Sequence, residues 1–217
     1  FVEKFGQKEA VELCKKLNEQ APITLRANTL KATVEECGDR LLKEGIETEP
    51  VAGIPNALTL KKRVNVFGLQ SFKDGLFELQ DAGSQLLPIL VDPKPTAKVL
   101  DACAGAGGKT LEFAALMKNR GEIFATDVNK YRIEELKKRA RRAGAFNIRP
   151  KHIDSLEDLE QDYAGYFDVV FVDAPCTGVG TIRRNPGMKW SVSEEMVKEL
   201  SDKQKSIMNS CAPLVKP

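Results

Sequence analysis

The sequence predicts an α/β fold in which a doubly wound parallel sheet follows a small α+β module. From residue 98 onward, strand-like runs alternate with helical patterns, as in sheets built from strand–helix–strand units. The run 167–173 is apolar on both faces, which is typical of a central parallel strand. The composition, with 42% hydrophobic and 29% charged residues, excludes a disordered, collagen-like or coiled-coil chain.

The first 80 residues predict a helix and then a compact module. Apolar residues at helical spacing, such as Phe5 and Ala10, indicate an amphipathic helix over residues 1–20. In residues 21–80, Thr33 and Glu36 form a capping box, so a helix begins there, and Gly45 ends it. Strand-like pieces surround this helix at 23–28, 47–51, 57–60 and 76–79. The module is too short to bury much core alone, so we expect it to pack on residues 81–217.

Residues 81–217 predict four parallel strands, with helices after the first, second and fourth. The strands are expected at 99–101, 122–127, 148–153 and 167–173. Ser191 with Glu194 predicts the start of a last helix, on which Cys211 belongs to an apolar core stripe. The apolar fourth strand would be left as an open edge. We therefore expect the sequence to be a fragment of a longer protein.

Several classes of protein are disfavoured by composition. The net charge of +2 requires any nucleic-acid surface to come from local clusters. No stretch approaches the roughly 20 apolar residues of a membrane-spanning helix, and no signal peptide is visible. Five cysteines without a C-x-x-C pair and a single histidine argue against a metal site or a disulfide framework. We expect a cytoplasmic protein without metal or membrane partner.

The strongest motif is a glycine-rich turn between the first strand and its helix, at 99–110. Such a turn lets the backbone approach a ligand, and the following helix presents free amide groups. A phosphate-binding P-loop is excluded because Cys103 stands where the pattern requires glycine. A nucleoside-type site is favoured instead, since Asp127, at the tip of the second strand, lies 19 residues after Gly108 and is placed to hold ribose hydroxyls.

A second motif begins at the tip of the fourth strand, where α/β sheets place their ligands. Asp173 and Cys176, three residues apart, offer an acid and a thiol to one pocket. The following segment supplies phosphate-pairing charge and a stacking ring, as single-stranded nucleic acid would require. Its candidate RNA-binding residues are Arg183, Arg184, Lys189 and Trp190. The basic run at 130–142 is interpreted as a solvated helix face, with an RNA-backbone contact as the alternative.

These segments resemble motifs of the Nol/Nop/Sun-type RNA cytosine-5 methyltransferases. The family's first motif usually reads Asp-x-Cys-Ala-Ala-Pro-Gly-Gly-Lys-Thr, and residues 101–110 depart from it only at Gly105 and Ala106, which makes the loop more flexible. Residues 22–28 and 79–85 also resemble the family's N-terminal module and its junction. The resemblance covers nearly the whole chain. It implies an incomplete Rossmann-like class I methyltransferase sheet in 81–217 and an RNA-binding module in 21–80.

The resemblance implies S-adenosylmethionine as cofactor and the following site. Residues of the glycine-rich loop would wrap the methionine part: Cys103, Ala104, Gly105, Ala106, Gly107, Gly108 and Lys109. Asp127 would hold the ribose, Arg132 would lie beside it, and Asp154 would hold the adenine amino group. Asp173 would border the cofactor and hydrogen-bond the cytosine at ring nitrogen 3, which favours thiol addition to carbon 6.

In this family two cysteines share the work. The attacking thiol lies in a Thr-Cys motif on a strand after the last helix, and the sequence contains no such motif. The Pro-Cys cysteine, here Cys176, assists release of the product. We therefore expect methyl transfer to cytosine carbon 5 of ribosomal or transfer RNA from the longer protein. This chain alone should bind the cofactor weakly and should not turn over.

Two alternatives remain open at this point. A DNA-type cytosine methyltransferase would use Cys176 itself as the nucleophile, although the segment 183–190 and the N-terminal module argue against it. A non-catalytic RNA-binding or assembly protein would keep only the cofactor fold.

Overall fold

The computed structural model describes all 217 residues, Phe1–Pro217. The chain forms two compact units, one of residues 1–22 and 175–205, the other of 23–174 and 206–217. The helices are α1 (Val2–Asn18), α2 (Val34–Lys43), α3 (Gln70–Lys73), α4 (Ala82–Val91), α5 (Gly108–Leu116), α6 (Lys130–Ala143), α7 (Glu160–Tyr163) and α8 (Glu194–Cys211). The strands are β1 (Thr24–Ala27), β2 (Thr48–Pro50), β3 (Ala57–Leu60), β4 (Phe77–Leu79), β5 (Lys98–Asp101), β6 (Glu122–Asp127), β7 (Ile148–His152) and β8 (Val169–Phe171).

The larger unit contains an antiparallel sheet built by the first four strands, in the order β2-β3-β1-β4. Leu25 of the central strand β1 faces Leu58 on one side and Leu79 on the other. Helix α2 covers this sheet with Cys37 and Leu41, both fully buried in its core. As predicted, Thr33 caps α2 in a capping box with Glu36, and Gly45 follows the helix end with a φ of 80°.

The same unit contains a parallel sheet in the order β7-β6-β5-β8. Its core is formed on one face by α5 and α6, with Phe113 and Leu136 fully buried, and on the other by Phe167 and Leu214. The predicted α/β class with a preceding α+β module is confirmed. A short helix, α7, also lies between β7 and β8, where the sequence predicted none.

The outer edge of β8 is open only in part. The Phe167 amide donates to the Leu214 carbonyl at 3.1 Å, and the Lys216 amide donates to the Phe167 carbonyl at 2.9 Å. Phe167 and Val215 form a parallel bridge there. The expected open edge is therefore covered at its beginning, next to β8.

The smaller unit contains α1 and the segment from Pro175 to Lys205. Helix α1 is interrupted at Gly6, which has a φ of 75°, and buries only Ala10. The predicted cap of the last helix is wrong: the Ser191 hydroxyl donates to the Met188 carbonyl, and Ser193 accepts from the Met196 amide instead. None of the helices combines the length and the apolar composition that a bilayer crossing requires.

Candidate active site

The glycine-rich loop connects β5 to α5 at the carboxyl end of the parallel sheet. Gly107 is the N-cap of α5 with a φ of 86°, a left-handed conformation that glycine adopts without steric cost. A Cβ at this position would lie 2.7 Å from Leu136 Cγ of α6, so the loop backbone packs closely on that helix. At Gly105 and Gly108 a Cβ would meet no atom within 4 Å. The loop therefore packs against α6 at Gly107, which we call its back, and has free space beside Gly105 and Gly108, which we call its front.

The loop is tied to the neighbouring strand by hydrogen bonds. The Ala104 amide donates to the Thr126 carbonyl at 2.9 Å. The carboxylate of Asp127, at the tip of β6, accepts from the Gly105 amide at 2.9 Å and from the Asn129 amide at 2.7 Å. Asp127 is only 7% exposed, so these two bonds hold a nearly buried carboxylate in one orientation. The tips of β5 and β6 therefore form one rigid edge.

A buried acid lies under the loop. Asp101, the last residue of β5, accepts a hydrogen bond from the Thr110 hydroxyl at 2.6 Å, and both residues are fully buried. Burial raises the pKa of Asp101 to about 6, because removal from water disfavours the charged carboxylate, while the Thr110 hydrogen bond opposes the shift. The pair joins the strand to the first turn of α5.

A small cavity of about 110 Å³ opens in front of the loop. Its lining residues are Gln80, Ser84, Asp101, Cys103, Ala104, Gly108, Lys109 and Asp173. The Lys109 ammonium, in the first turn of α5, donates to the Asp173 carboxylate at 2.5 Å. Asp173 follows β8, so the two sequence motifs meet at this cavity. Charged and polar groups that converge in one concave site are typical of a ligand-binding centre.

Six predicted cofactor residues do not line this cavity. Gly105, Ala106 and Gly107 belong to the glycine-rich loop itself, and the other three lie farther along the chain. Asp127 is buried beside the loop, and the exposed guanidinium of Arg132 lies 3.9 Å from its carboxylate. Asp154 follows β7 and is exposed. All three stand at or next to the carboxyl ends of β6 and β7. A ligand that reached them from the cavity would extend along the edge of the sheet.

The cysteines of the two motifs differ in their surroundings. Cys103 is partly buried, and burial raises the pKa of its thiol to about 12, which keeps it protonated and unreactive near neutral pH. Cys176 is exposed. Cys211 is buried in the core, as its place on the apolar stripe predicted, and burial raises the pKa of its thiol to about 11. Cys176 is therefore the accessible thiol of the two motifs.

The predicted RNA-binding segment forms short turns in the smaller unit. Arg183 donates to the Glu19 and Gln20 carbonyls at 3.1 and 3.0 Å and pairs with the Glu19 carboxylate. Arg184 donates to the Pro22 carbonyl at 3.0 Å. Their guanidinium groups thus hold the chain that leaves α1. Trp190 is 83% exposed, with the Lys189 ammonium 5.1 Å from its ring centre, so this pair remains available to a stacking ligand.

Sequence reasoning missed the arginines that surround the loop. Arg26 of β1 donates to the Gly108 carbonyl at 2.8 Å, and Arg139 of α6 donates to the Ala106 carbonyl at 2.8 Å. Arg139 and Arg142 also pair with the buried Glu78 of β4, so the basic run at 130–142 is only in part a solvated face. The basic run itself was visible in the sequence. Its partner Glu78 lies more than 60 residues earlier in the chain, so the sequence did not indicate the pairing.

Two family models match parts of this chain. Residues 88–217 match the family model described as 16S rRNA methyltransferase RsmB/F. Residues 1–67 match the ferredoxin-like domain of the RsmF/B-like methyltransferases.

Individual relatives match over most of this chain. The chain is 36% identical to the probable ribosomal RNA small subunit methyltransferase B of Bacillus subtilis, over 100% of this chain and 48% of that protein. It is 32% identical to the 25S rRNA (cytosine-C(5))-methyltransferase nop2 of Schizosaccharomyces pombe, over 96% of this chain and 34% of that protein. The crystal structure of a methyltransferase homologue from Pyrococcus horikoshii superposes with a TM-score of 0.84 at 31% identity, covering 98% of this chain and 67% of that one. The chain spans about half the length of the Bacillus relative and about a third of the length of the Schizosaccharomyces pombe relative.

Proposed function

The chain belongs to the 16S rRNA methyltransferase RsmB/F family, and we propose that it is the cofactor-binding part of an enzyme that methylates carbon 5 of cytosine in ribosomal RNA. Family membership confirms the resemblance drawn from the motifs at 101–110 and 173–176. The observation that carries the proposal is the contact of Lys109 with Asp173, which joins both motifs at one cavity. The proposal includes the division into a helix (1–20), an RNA-binding module (21–80) and a methyltransferase domain (81–217).

The loop has the features that S-adenosylmethionine requires. Space is open in front of Gly105 and Gly108, and the first amides of α5 have no carbonyl partner within the helix. A cavity of about 110 Å³ admits only part of a cofactor of that size, since ligand pockets usually enclose at least about 300 Å³. We place the methionine end against Cys103, Gly108 and Lys109. The nucleoside would then lie along the sheet edge, with its ribose at Asp127 and its adenine at Asp154.

The bound cofactor supplies an electrophilic methyl group, and the protein must make cytosine carbon 5 nucleophilic. Addition of a thiolate to carbon 6 achieves this, because negative charge then develops on the ring and is taken up at nitrogen 3. On this proposal the Asp173 carboxyl group transfers its proton to nitrogen 3 as this charge develops, which leaves a carboxylate. The Lys109 ammonium, 2.5 Å from that carboxylate, brings a positive charge to the place where negative charge develops.

We assign Cys176 to product release rather than to the first attack. The attacking thiol of the family stands in a Thr-Cys motif, which these 217 residues do not contain. On this assignment the chain alone binds S-adenosylmethionine without turnover. The ribosomal RNA substrates in the names of the relatives favour RNA over the DNA-type alternative, in which Cys176 would attack.

Covalent trapping tests the assignment. An RNA containing 5-fluorocytidine is incubated with S-adenosylmethionine and either this chain or a longer protein, which is this chain extended by a segment that carries a Thr-Cys motif. We expect a denaturation-resistant adduct with the longer protein only. An adduct on Cys176 of this chain would instead support the DNA-type mechanism. No adduct with either protein, with RNA binding retained, would support a binding protein without catalysis.

The variant Cys176→Ala tests the role of this thiol in the longer protein. If Cys176 assists release, the variant accumulates the adduct on ordinary RNA and methylates it without turnover. If the variant forms no adduct even with 5-fluorocytidine, the release role is wrong. Cys14→Ala serves as the matched control, because this exposed thiol lies on α1, outside the proposed site, and its loss is expected to leave adduct formation unchanged.

A further inference from the structure

We propose that Arg26 and Arg139 are positioning residues for the cofactor loop, so that the N-terminal sheet is a structural part of the cofactor site. This inference rests on the proposed function, because it assigns the loop to the cofactor. Arg26 reaches the loop from β1, and Arg139 reaches it from α6. Each donates to one backbone carbonyl, Arg26 to that of Gly108 and Arg139 to that of Ala106, at 2.8 Å.

Each guanidinium is fixed by a buried carboxylate. Arg26 pairs with Glu112 of α5 at 2.9 Å, and both side chains are about 5% exposed. Gln80, which follows β4, accepts from Arg26 and donates to Glu112 at 3.1 Å. Arg139 donates two bonds to Glu78 of β4, at 2.9 and 3.2 Å. Glu78 and Gln80 are two residues apart in an extended segment, so their side chains point to the same face of the N-terminal sheet. That face therefore contacts both arginines.

Burial of these charges is poorly explained by stability alone. Burial lowers the pKa of Arg26 and raises the pKa of Glu112, since desolvation disfavours both charged forms, and their mutual attraction opposes each shift. A buried ion pair of this kind is often no more stabilising than a pair of well-packed apolar side chains. What an apolar pair cannot do is donate a hydrogen bond to the Gly108 carbonyl. The donation to the loop is therefore the property that the arginine contributes.

The geometry of the peptide unit connects these carbonyls to the ligand side of the loop. In a planar trans peptide the C=O and N–H groups point in opposite directions. A bond that fixes the Gly108 carbonyl from behind consequently directs the Lys109 amide forward. Gly105 and Gly107 have positive φ values and no side chains that could pack, so the two arginine bonds add to the hydrogen bonds by which Asp127 and Thr126 hold the loop.

Arg142 provides a matched control within the same network. It pairs with the same Glu78 and lies 3.9 Å from the Phe72 ring, but it donates to no carbonyl of the loop. Its loss should weaken the packing of the N-terminal sheet to a similar extent. It should leave the loop in place.

The first experiment measures binding of S-adenosylhomocysteine by calorimetry to the full chain and to Arg26→Met, Arg139→Met and Arg142→Met. We expect the Kd to rise about tenfold or more for the first two variants and to stay within about twofold for Arg142→Met. The double variant Arg26→Met/Glu112→Met removes both buried charges and so separates folding from positioning. Its affinity should remain low even where its melting temperature returns to the wild-type value. Wild-type affinity in this double variant would overturn the role of Arg26.

The second experiment needs no ligand, and so it separates this inference from the proposed function. Hydrogen exchange of the Gly105 and Gly107 amides, which are bonded within the site, should accelerate about tenfold in Arg26→Met and Arg139→Met but not in Arg142→Met. Equal protection in all variants would overturn the inference. A wild-type chain that failed to bind S-adenosylhomocysteine while the exchange pattern held would overturn the cofactor assignment alone.

Discussion

Replacement of Gly107 by alanine should destabilise the fold by an amount that the structure allows to be calculated. A non-glycine residue in the left-handed region costs about 1–2 kcal/mol, and Gly107 has a φ of 86°. The new Cβ would also lie 2.7 Å from Leu136 Cγ and 3.1 Å from its Cδ1. Since Leu136 is fully buried, its side chain must leave its rotamer, at a cost of about 0.5–1.5 kcal/mol. We expect a total loss of about 1.5–3.5 kcal/mol in the free energy of unfolding.

Urea denaturation followed by circular dichroism measures this loss directly. The matched control is Gly108→Ala, where a Cβ meets nothing within 4 Å and φ is not positive. This control should retain wild-type stability but lose affinity for S-adenosylhomocysteine, because its methyl group occupies the open front of the loop. A Gly107→Ala variant within about 0.5 kcal/mol of wild type would show that the left-handed turn is not a constraint on this fold.

Three further predictions follow from burial and exposure. The folded-state pKa of Asp101 is raised from 3.8 to about 6, so the wild type loses up to roughly 3 kcal/mol of stability as pH rises between these values. In Asp101→Asn, the urea concentration at the midpoint of unfolding should change less over that pH range. An aromatic disulfide reagent near neutral pH should label the exposed Cys14 and Cys176 but not the other three thiols, and mass spectrometry identifies the labelled residues. Rapid labelling of Cys103 would contradict its burial. Single-stranded RNA should quench the fluorescence of Trp190, the single tryptophan, with an affinity that falls as salt rises, and an unchanged emission would exclude stacking at this ring.

Local patterns in the sequence predicted much of the fold. The strands of the parallel sheet begin and end within a few residues of the predicted positions. Three of them contain an apolar run, whereas β7 has mostly polar and charged side chains and was recognised from its place in the alternation of strands and helices. Helix α4 was missed, since Gly83 and Pro88 within Ala82–Val91 are poor helix formers and conceal its pattern. The last helix was predicted, but its cap was misassigned because Ser191 and Ser193 both precede it, and only the hydrogen bonds distinguish them.

The site was predicted less completely than the fold. The loop and Asp173 were recognised from their motifs, and the structure brings Lys109 and Asp173 together. Arg26 and Glu112 lie 86 residues apart, and neither has a local pattern that indicates its partner. Buried polar networks of this type depend on tertiary packing, so they are visible only once the elements are assembled.

The two backbone bonds of Asp127 change how its substitution must be interpreted. The same carboxylate joins the turn after β5 to the turn after β6, through the Gly105 and Asn129 amides. Its orientation is fixed during folding, so a ligand that binds it bears little entropic penalty for ordering that side chain. Truncation to alanine would release two turns at once. Lost affinity in such a variant would therefore measure a collapsed edge of the sheet together with any missing ribose contact.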